Sequence, residues 1–333
     1  MLRVGIIGCG GIAGMHAFCY QHMPEAKVVA VADIIPERAD NMAKIFGAEA
    51  LYHGDELLKR EDIDVVDICL PTYLHCEYVL KVAAAKKHVL CEKPMALNLE
   101  EGRKMIEATK EAGVKFMVAH VLRFFPENEN AKLVMESGAI GNPRMVRTYR
   151  GGVHPGRVRA WYADVEKSGG AIQDMVIHDI DYLKSCFGPA KQVYAKGNVF
   201  EKTPNLEYDL VMIEFYNGVI AHLVADWSRP EGGQFNTKME IVGTKGIVEY
   251  DLSKSMPLSV LAAPEAQVGD KGVAVPESPL DPRSNPYAKE IIKFLAAIEN
   301  DTEVPVPGEE ALESLSIALA ALESIKTGKP VRL

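Results

Sequence analysis

The sequence has no CxxC pair: its six cysteines (9, 19, 69, 76, 91 and 186) are scattered singly. That excludes a zinc ribbon or a disulfide framework and leaves buried free thiols as the reading. It also has no basic tail or stripe. With a formal charge of -9 at neutral pH, the average surface repels nucleic acid, and a small-molecule partner is expected instead. Long apolar runs are missing as well. Residues 4 to 9, VGIIGC, are far too short to cross a bilayer, and no cleavable signal is read ahead of them. No membrane partner and a cytoplasmic location are therefore expected. No repeat period is visible, which sets aside solenoids and propellers.

What is present is 333 residues, 48% hydrophobic and 25% charged, the balance of a globular protein long enough for two domains. In the first part, short β-branched runs (RVGII, VVAVAD, DVVDICL, HVLCEK, KFMVAH) alternate with helical stretches. Val65 to Leu70 is apolar on both faces, as a strand of a parallel sheet covered by helices should be. Pro36 is placed to open a helix running to about Phe46, and Gly113 to close one that begins at Leu99. The expectation is a doubly wound α/β sheet over residues 1–122.

The first turn gives that sheet a purpose. GIIGCGGIAG holds Gly8, Gly10 and Ala13 in the spacing G-x-G-x-x-A, with Gly11 and Ile12 between them, after a strand and opening a helix. Gly8 permits the tight turn, Gly10 a close backbone approach to a pyrophosphate, and Ala13 close helix packing. Asp33 ends the second strand, where an acid takes the adenosine ribose hydroxyls. A 2'-phosphate would meet that carboxylate, so NAD is expected and NADP disfavoured. Arg38 reads as a solvated charge or a cover over the adenine. Gly14 is followed by Met15 and His16, which excludes a Walker loop. Further strand ends carry Pro71, Thr72 and His75, and then Glu92, Lys93 and Pro94. Ligands of such sheets lie beyond those ends, and the Lys93 ammonium is placed to touch a substrate oxygen.

After Arg123-Phe124-Phe125-Pro126 the alternation stops and long extended runs follow, so residues 123–333 read as a mostly antiparallel sheet with helices on one face. Asn217-Gly218 signals a type I' hairpin. The strand VIAHLVADW is apolar on both faces, which predicts that a second subunit covers part of the open face in a homodimer or homotetramer. Residues 262–286, rich in proline, read as a surface excursion.

Within SGGAIQDMVIHDIDYL, Asp174, His178 and Asp181 fall on one helical face at i, i+4 and i+7. Taken alone, that face is a metal site, an acid-base pair or a polar surface; HExxH is absent, and Lys93 would repel a cation.

The combination of GIIGCGGIAG with Asp33, PTYLH, CEKP, RFFP, the SGGAIQDMVIHDID segment and the terminal EALESLSIALAALESIKTGKPVRL resembles the glucose-fructose oxidoreductase/inositol dehydrogenase/MocA family over nearly the whole chain. The resemblance implies a Rossmann domain joined to an open-faced sheet, dimers or tetramers, nicotinamide lying between the domains, and Lys93, Asp174 and His178 as the reacting groups. Oxidising a secondary alcohol needs a base, and a histidine with an ordinary pKa of about 6.5 suits it. Lys93 would stabilise the alkoxide, and Asp174 would orient the imidazole. Arg123, His154, Arg157, Trp161, Tyr162 and Asp181 are candidates for the hydroxyls of a polyol, inositol or aldose; Arg123 is counted with the cofactor residues too. Two other readings stand beside dehydrogenation: glycoside cleavage through transient oxidation, with NAD regenerated, and a non-catalytic nicotinamide-sensing protein.

Overall fold

The computed structural model describes residues 1–199, 206–254, 258–262 and 281–333. The chain divides into two compact units, Met1–Phe124 with Pro276–Leu312, and Phe125–Val275 with Glu313–Leu333. The first crossing lies beside the expected break at 122/123. A single break does not provide for the return of residues 276–312 to the first unit. Of the proline-rich stretch 262–286, residues 263–280 lie outside the described residues.

The first unit strings β1 (Leu2–Ile7), α1 (Gly11–Tyr20), β2 (Ala26–Ala32), α2 (Pro36–Phe46), β3 (Glu49–Leu51), α3 (Gly54–Leu58), β4 (Val65–Ile68), α4 (His75–Ala84), β5 (His88–Glu92), α5 (Leu99–Ala112) and β6 (Phe116–Ala119). All six strands are parallel, in the order β3-β2-β1-β4-β5-β6. That order reverses between β1 and β4, which makes the carboxyl ends of these two strands the ligand crevice of a doubly wound sheet. Pro36 opens α2, and Gly47 and Gly113 close α2 and α5 in the left-handed conformation. Every residue of β4 is buried, as its two-faced apolar pattern requires.

The second unit contains α6 (Pro126–Glu136), β7 (Pro143–Val153), α7 (Val165–Ser168), α8 (Ile177–Phe187), β8 (Ala190–Val199), β9 (Glu207–Phe215), β10 (Ile220–Arg229), β11 (Asn236–Gly243), β12 (Gly246–Asp251) and β13 (Leu258–Ala262). With the terminal β14 (Val331–Arg332), its strands form an eight-stranded sheet in the order β13-β12-β11-β7-β10-β9-β8-β14. The pairings are antiparallel except β7 with β10. One face is buried, with Val211, Ile213, Phe215, Ala221, Leu223 and Ala225 nearly inaccessible. The other shows Leu210, Met212 and Ile220 at 39%, 48% and 46% exposure.

The β9–β10 hairpin departs from expectation. Gly218 has φ +85, but Asn217 does not take a positive φ, and Gly218 N–H donates to Phe215 O at 3.0 Å. The connection is therefore a type I turn closed by a left-handed glycine, because Tyr216 takes its first central position; a type I' turn would need both central residues left-handed.

After β13 the chain returns to the first unit as α9 (Pro286–Glu299), whose Ile291 and Phe294 are buried in the same core as Val4 and Ile6 of β1. Each such side chain contributes about 1.5–3 kcal/mol by burial. The last helix, α10 (Gly308–Thr327), starts in residues of the first unit and ends in residues of the second. Among the described residues, no helix is long and apolar enough to cross a membrane.

Candidate active site

The glycine turn has the geometry that a dinucleotide seat needs. Gly8 has φ +91, and a Cβ there would lie 2.6 Å from Cys69 O on β4's extension, so only glycine fits. At Gly10 a Cβ would meet nothing: the space outside it is open, which is what close approach by a ligand requires. Gly10 caps α1 without any side-chain hydrogen bond to the first turn. The helix start is left for an anion, and its partial positive charge suits a pyrophosphate. Ala13 is fully buried, while Gly11 is exposed and Ile12 half-buried. Asp33 accepts Cys9 N–H and Ile35 N–H, each at 2.8 Å. Its carboxylate thus fixes the turn and keeps further lone pairs for ribose hydroxyls. Burial, with the Asp33 charge beside it, pushes the Cys9 thiol up to about 12, so Cys9 is inert. Arg38 is exposed on α2.

At the ends of β4 and β5 the chain is stapled rather than open. Pro71 precedes a short turn, Thr72–Leu74, in which Thr72 is buried. His75 is 1% exposed, with Nδ1 2.8 Å from Pro94 O and Nε2 2.8 Å from Leu70 O. Burial lowers its pKa although the two carbonyls favour the imidazolium. His75 thus joins the two strand ends, and a ligand-facing role for its ring is not what these contacts provide. The Lys93–Pro94 bond is cis. Glu92 is buried and accepts Lys93 N–H at 3.1 Å; Lys93 itself is half-buried.

Behind this edge, His16, Asp67 and Cys69 form a buried cluster of groups able to ligate a metal. His16 Nδ1 lies 2.8 Å from Asp67 Oδ2, and the Tyr20 hydroxyl donates to the same oxygen at 3.1 Å. These are hydrogen-bond distances, and the cluster is filled by its own contacts. Burial opposes a charged His16, but Asp67 and Cys69 outweigh it and hold its pKa well above the ordinary value. His16 Nε2 faces Glu92 Oε1 at 3.2 Å, which ties α1 to the Glu-Lys-Pro turn.

Arg123 pairs with Glu310 at 2.7 Å. Both residues belong to the first unit.

In the second unit, Asp174 and His178 are half-buried on a helix that is not uniform. Ile172–Val176 is a π-turn that runs directly into α8. Wider turns of this kind are rare and concentrate at functional sites. Asp181, on regular α8 beyond that turn, is fully buried and accepts the Ser314 hydroxyl at 2.9 Å, which places it against α10. Gly169 and Gly170 have φ +75 and +70, and added Cβ atoms would strike Gln173 and Glu207. Their room is taken by protein side chains rather than reserved for a ligand.

His154 is buried, its Nδ1 accepts Gly156 N–H at 2.9 Å, and its ring meets Trp227 edge-on at 4.8 Å. Burial first, and then Arg157, lower its pKa, while the Asp174 charge raises it, so His154 and Asp174 share one neighbourhood. Trp161 stacks on Tyr162 at 3.8 Å, and Tyr162 meets Trp227 at 6.2 Å. An aromatic wall therefore stands near the pair that carries the acid and the imidazole. The arginines from 147 to 159 have different partners. Arg150 makes a buried bidentate pair with Asp179 at 2.7 and 3.2 Å, Arg147 binds Glu240, and Arg157 and Arg159 are exposed.

A model of the oxidoreductase family with an NAD-binding Rossmann fold matches residues 2–120, and one of the GFO/IDH/MocA C-terminal domain matches 129–249. The uncharacterised oxidoreductase YrbE of Bacillus subtilis is 31% identical over 340 residues, covering 99% of this chain and 96% of its own. This chain belongs to the Gfo/Idh/MocA family. It is an NAD-dependent oxidoreductase, and NAD is the cofactor that the glycine turn and Asp33 fit. Myo-inositol 2-dehydrogenase of Thermotoga maritima is 30% identical over 339 residues, with 100% of this chain and 98% of that protein covered. Levoglucosan dehydrogenase, solved with NADH, superposes with a TM-score of 0.87 at 26% identity over 99% of this chain and 98% of the other. For this Gfo/Idh/MocA oxidoreductase, Glu207 and Asp209 are the part of the second unit that motif reading passes over. Alternation along EYDLVMIEF, which puts Asp209 on the face of Val211 and Ile213, is the one signal in the sequence that points to them.

Proposed function

We propose that this oxidoreductase dehydrogenates a secondary hydroxyl of a cyclitol or sugar. His178 takes the hydroxyl proton, Lys93 stabilises the developing alkoxide, and Asp174 orients the imidazole or a neighbouring hydroxyl. Bound NAD would supply the acceptor for the hydrogen and two electrons that leave carbon. The observation that carries the reading is the half-exposed Asp174–His178 pair on a broken helix beside Trp161, Tyr162 and His154. Polar groups define a hydroxyl's place, and an aromatic face suits the C–H face of a ring. The names of the Thermotoga inositol dehydrogenase and of levoglucosan dehydrogenase support the substrate class. On this reading, His154 and Trp161 contact the substrate.

Asp33→Ala should raise the KM for NAD about 10- to 100-fold, the worth of a hydrogen bond to a charged group, with kcat nearly unchanged and relative use of NADP increased. Initial rates with both cofactors check this, and an unchanged KM for NAD would remove Asp33 from the ribose site.

The exposed apolar residues of the open sheet face, Leu210, Met212 and Ile220, support a homodimer or homotetramer formed through that face. Sedimentation at micromolar concentration should show no monomer peak, and Met212→Lys with Ile220→Lys should restore one. Wild-type protein that sediments only as monomer refutes the assembly.

A further inference from the structure

We propose that Glu207 and Asp209 are positioning residues for the dehydrogenation assigned above: a buried acid pair that shares one proton and holds the first turn of the helix carrying Asp174 and His178. The inference rests on that functional reading for its consequence, and on the second unit alone for its geometry.

The two acids sit at i and i+2 of β9, on the buried face of the sheet. Asp209 is 2% exposed. Its Oδ2 is fully enclosed and receives no hydrogen bond from any N–H or hydroxyl of the described residues. Glu207 and Asp209 are neighbours on that buried face, and each carboxyl group acts on the other. Two carboxylates side by side out of water repel each other, so one carries the proton. Glu207 Oε1 accepts Ala171 N–H at 2.9 Å, so the ionised member satisfies a backbone donor at the start of the helix. Negative charge is favoured at that end of a helix. Gly170, at φ +70, leaves room for the same oxygen, since a Cβ would lie 2.8 Å from it.

Among the described residues, none of the groups that act on either acid is a cation. The charged group facing Glu207 from the helix is Asp174, also negative. Across the sheet, Asp209 sits between Gly197 of β8 and Ala225 of β10, and Ile325 of α10 also borders the Gly197 position. Burial first, and then the Glu207 charge, push the Asp209 carboxyl up to about 8; burial raises Glu207 as well. The folded chain therefore keeps a proton that the unfolded chain releases near its ordinary carboxylate pKa of about 4. Stability attributable to the pair is complete below pH 4 and is lost as pH rises through about 8. Above that point, two charges in contact repel each other beside Asp174 and loosen the turn that places it.

Asp209→Asn is the test, because asparagine still donates to Glu207 and cannot titrate. Chemical unfolding of the full chain from pH 5 to 9.5 should show the wild type losing stability relative to this variant. The gap in the unfolding constant should grow by about tenfold per pH unit between pH 5 and 8 and flatten above. Amide exchange of residues 170–176, corrected for its intrinsic pH dependence, should rise above pH 8 in wild type and not in the variant. Glu207→Gln, which keeps an oxygen for Ala171 and removes the neighbouring charge but leaves Asp209 buried, should show a weaker pH dependence than wild type and serves if Asp209→Asn does not fold. With myo-inositol and NAD as the assay pair, the wild type should lose kcat above pH 8 with KM little changed, and Asp209→Asn should lack that limb. Coincident stability and exchange profiles for wild type and variants would overturn the proposal. If no NADH forms from any cyclitol or sugar, the functional reading fails instead, and the unfolding and exchange profiles still decide the acid pair.

Discussion

His178→Asn should lower kcat by a factor of about 10²–10⁴, the usual worth of a positioned general base, while leaving the Kd for NAD within about twofold of wild type. Asparagine keeps a polar, planar side chain on the half-buried helix but cannot take up a proton near neutrality. The cofactor seat proposed at Gly8 to Ala13 and Asp33 belongs to the first unit and should not register the change. Stopped-flow measurement of NADH formation, together with fluorescence titration of the cofactor, separates the two quantities. Wild-type turnover would remove His178 from the proton-transfer step. A parallel rise in Kd would show that the substitution acts on the seat instead.

Lys93→Met should cost about 10²–10³ in kcat, the scale found when one donor to a developing oxyanion is removed. Methionine preserves most of the aliphatic volume and deletes only the charge. The position of Lys93 is set by its neighbours: Glu92 accepts its backbone N–H, His75 lies against the Pro94 carbonyl, and His16 faces Glu92. If Lys93 and His178 serve the same step, the double variant should be far less impaired than the product of the two single effects. Multiplicative losses would mean that they act in separate steps.

Much of this was legible from residue order because local chemistry dictated it. Pro36 and Gly113 mark helix ends through backbone constraints, and the structure places α2 and α5 at those ends. Gly8 reads as an obligatory glycine, and its contact with Cys69 O gives the reason. The fold class followed from two-faced strands such as Val65–Ile68, buried throughout. What escaped depends on neighbours distant in sequence or on non-standard geometry. A 3.6-residue period puts Asp181 with Asp174 and His178; the π-turn at Ile172–Val176 shifts Asp174 against the α8 residues, and Asp181 accepts the Ser314 hydroxyl. Arg150 is held by Asp179, and Arg123 is paired with Glu310, both partners distant in sequence. Glu207 and Asp209 lie in a strand with no motif, and their significance arises only when β8, β10 and the helix start close around them.

The most direct measurement is the absorbance of reduced nicotinamide when the purified protein is mixed with NAD and, in turn, inositols, aldoses, uronates and matched aryl glycosides. The account predicts NADH accumulating in equal amount to a keto product or lactone with at least one free cyclitol or sugar, and a rate reduced by about 10² or more in His178→Asn. Release of an aglycone with no net NADH would contradict it and establish transient oxidation instead. Tight NAD binding with no turnover of any of these compounds would contradict it in favour of a nicotinamide-sensing protein.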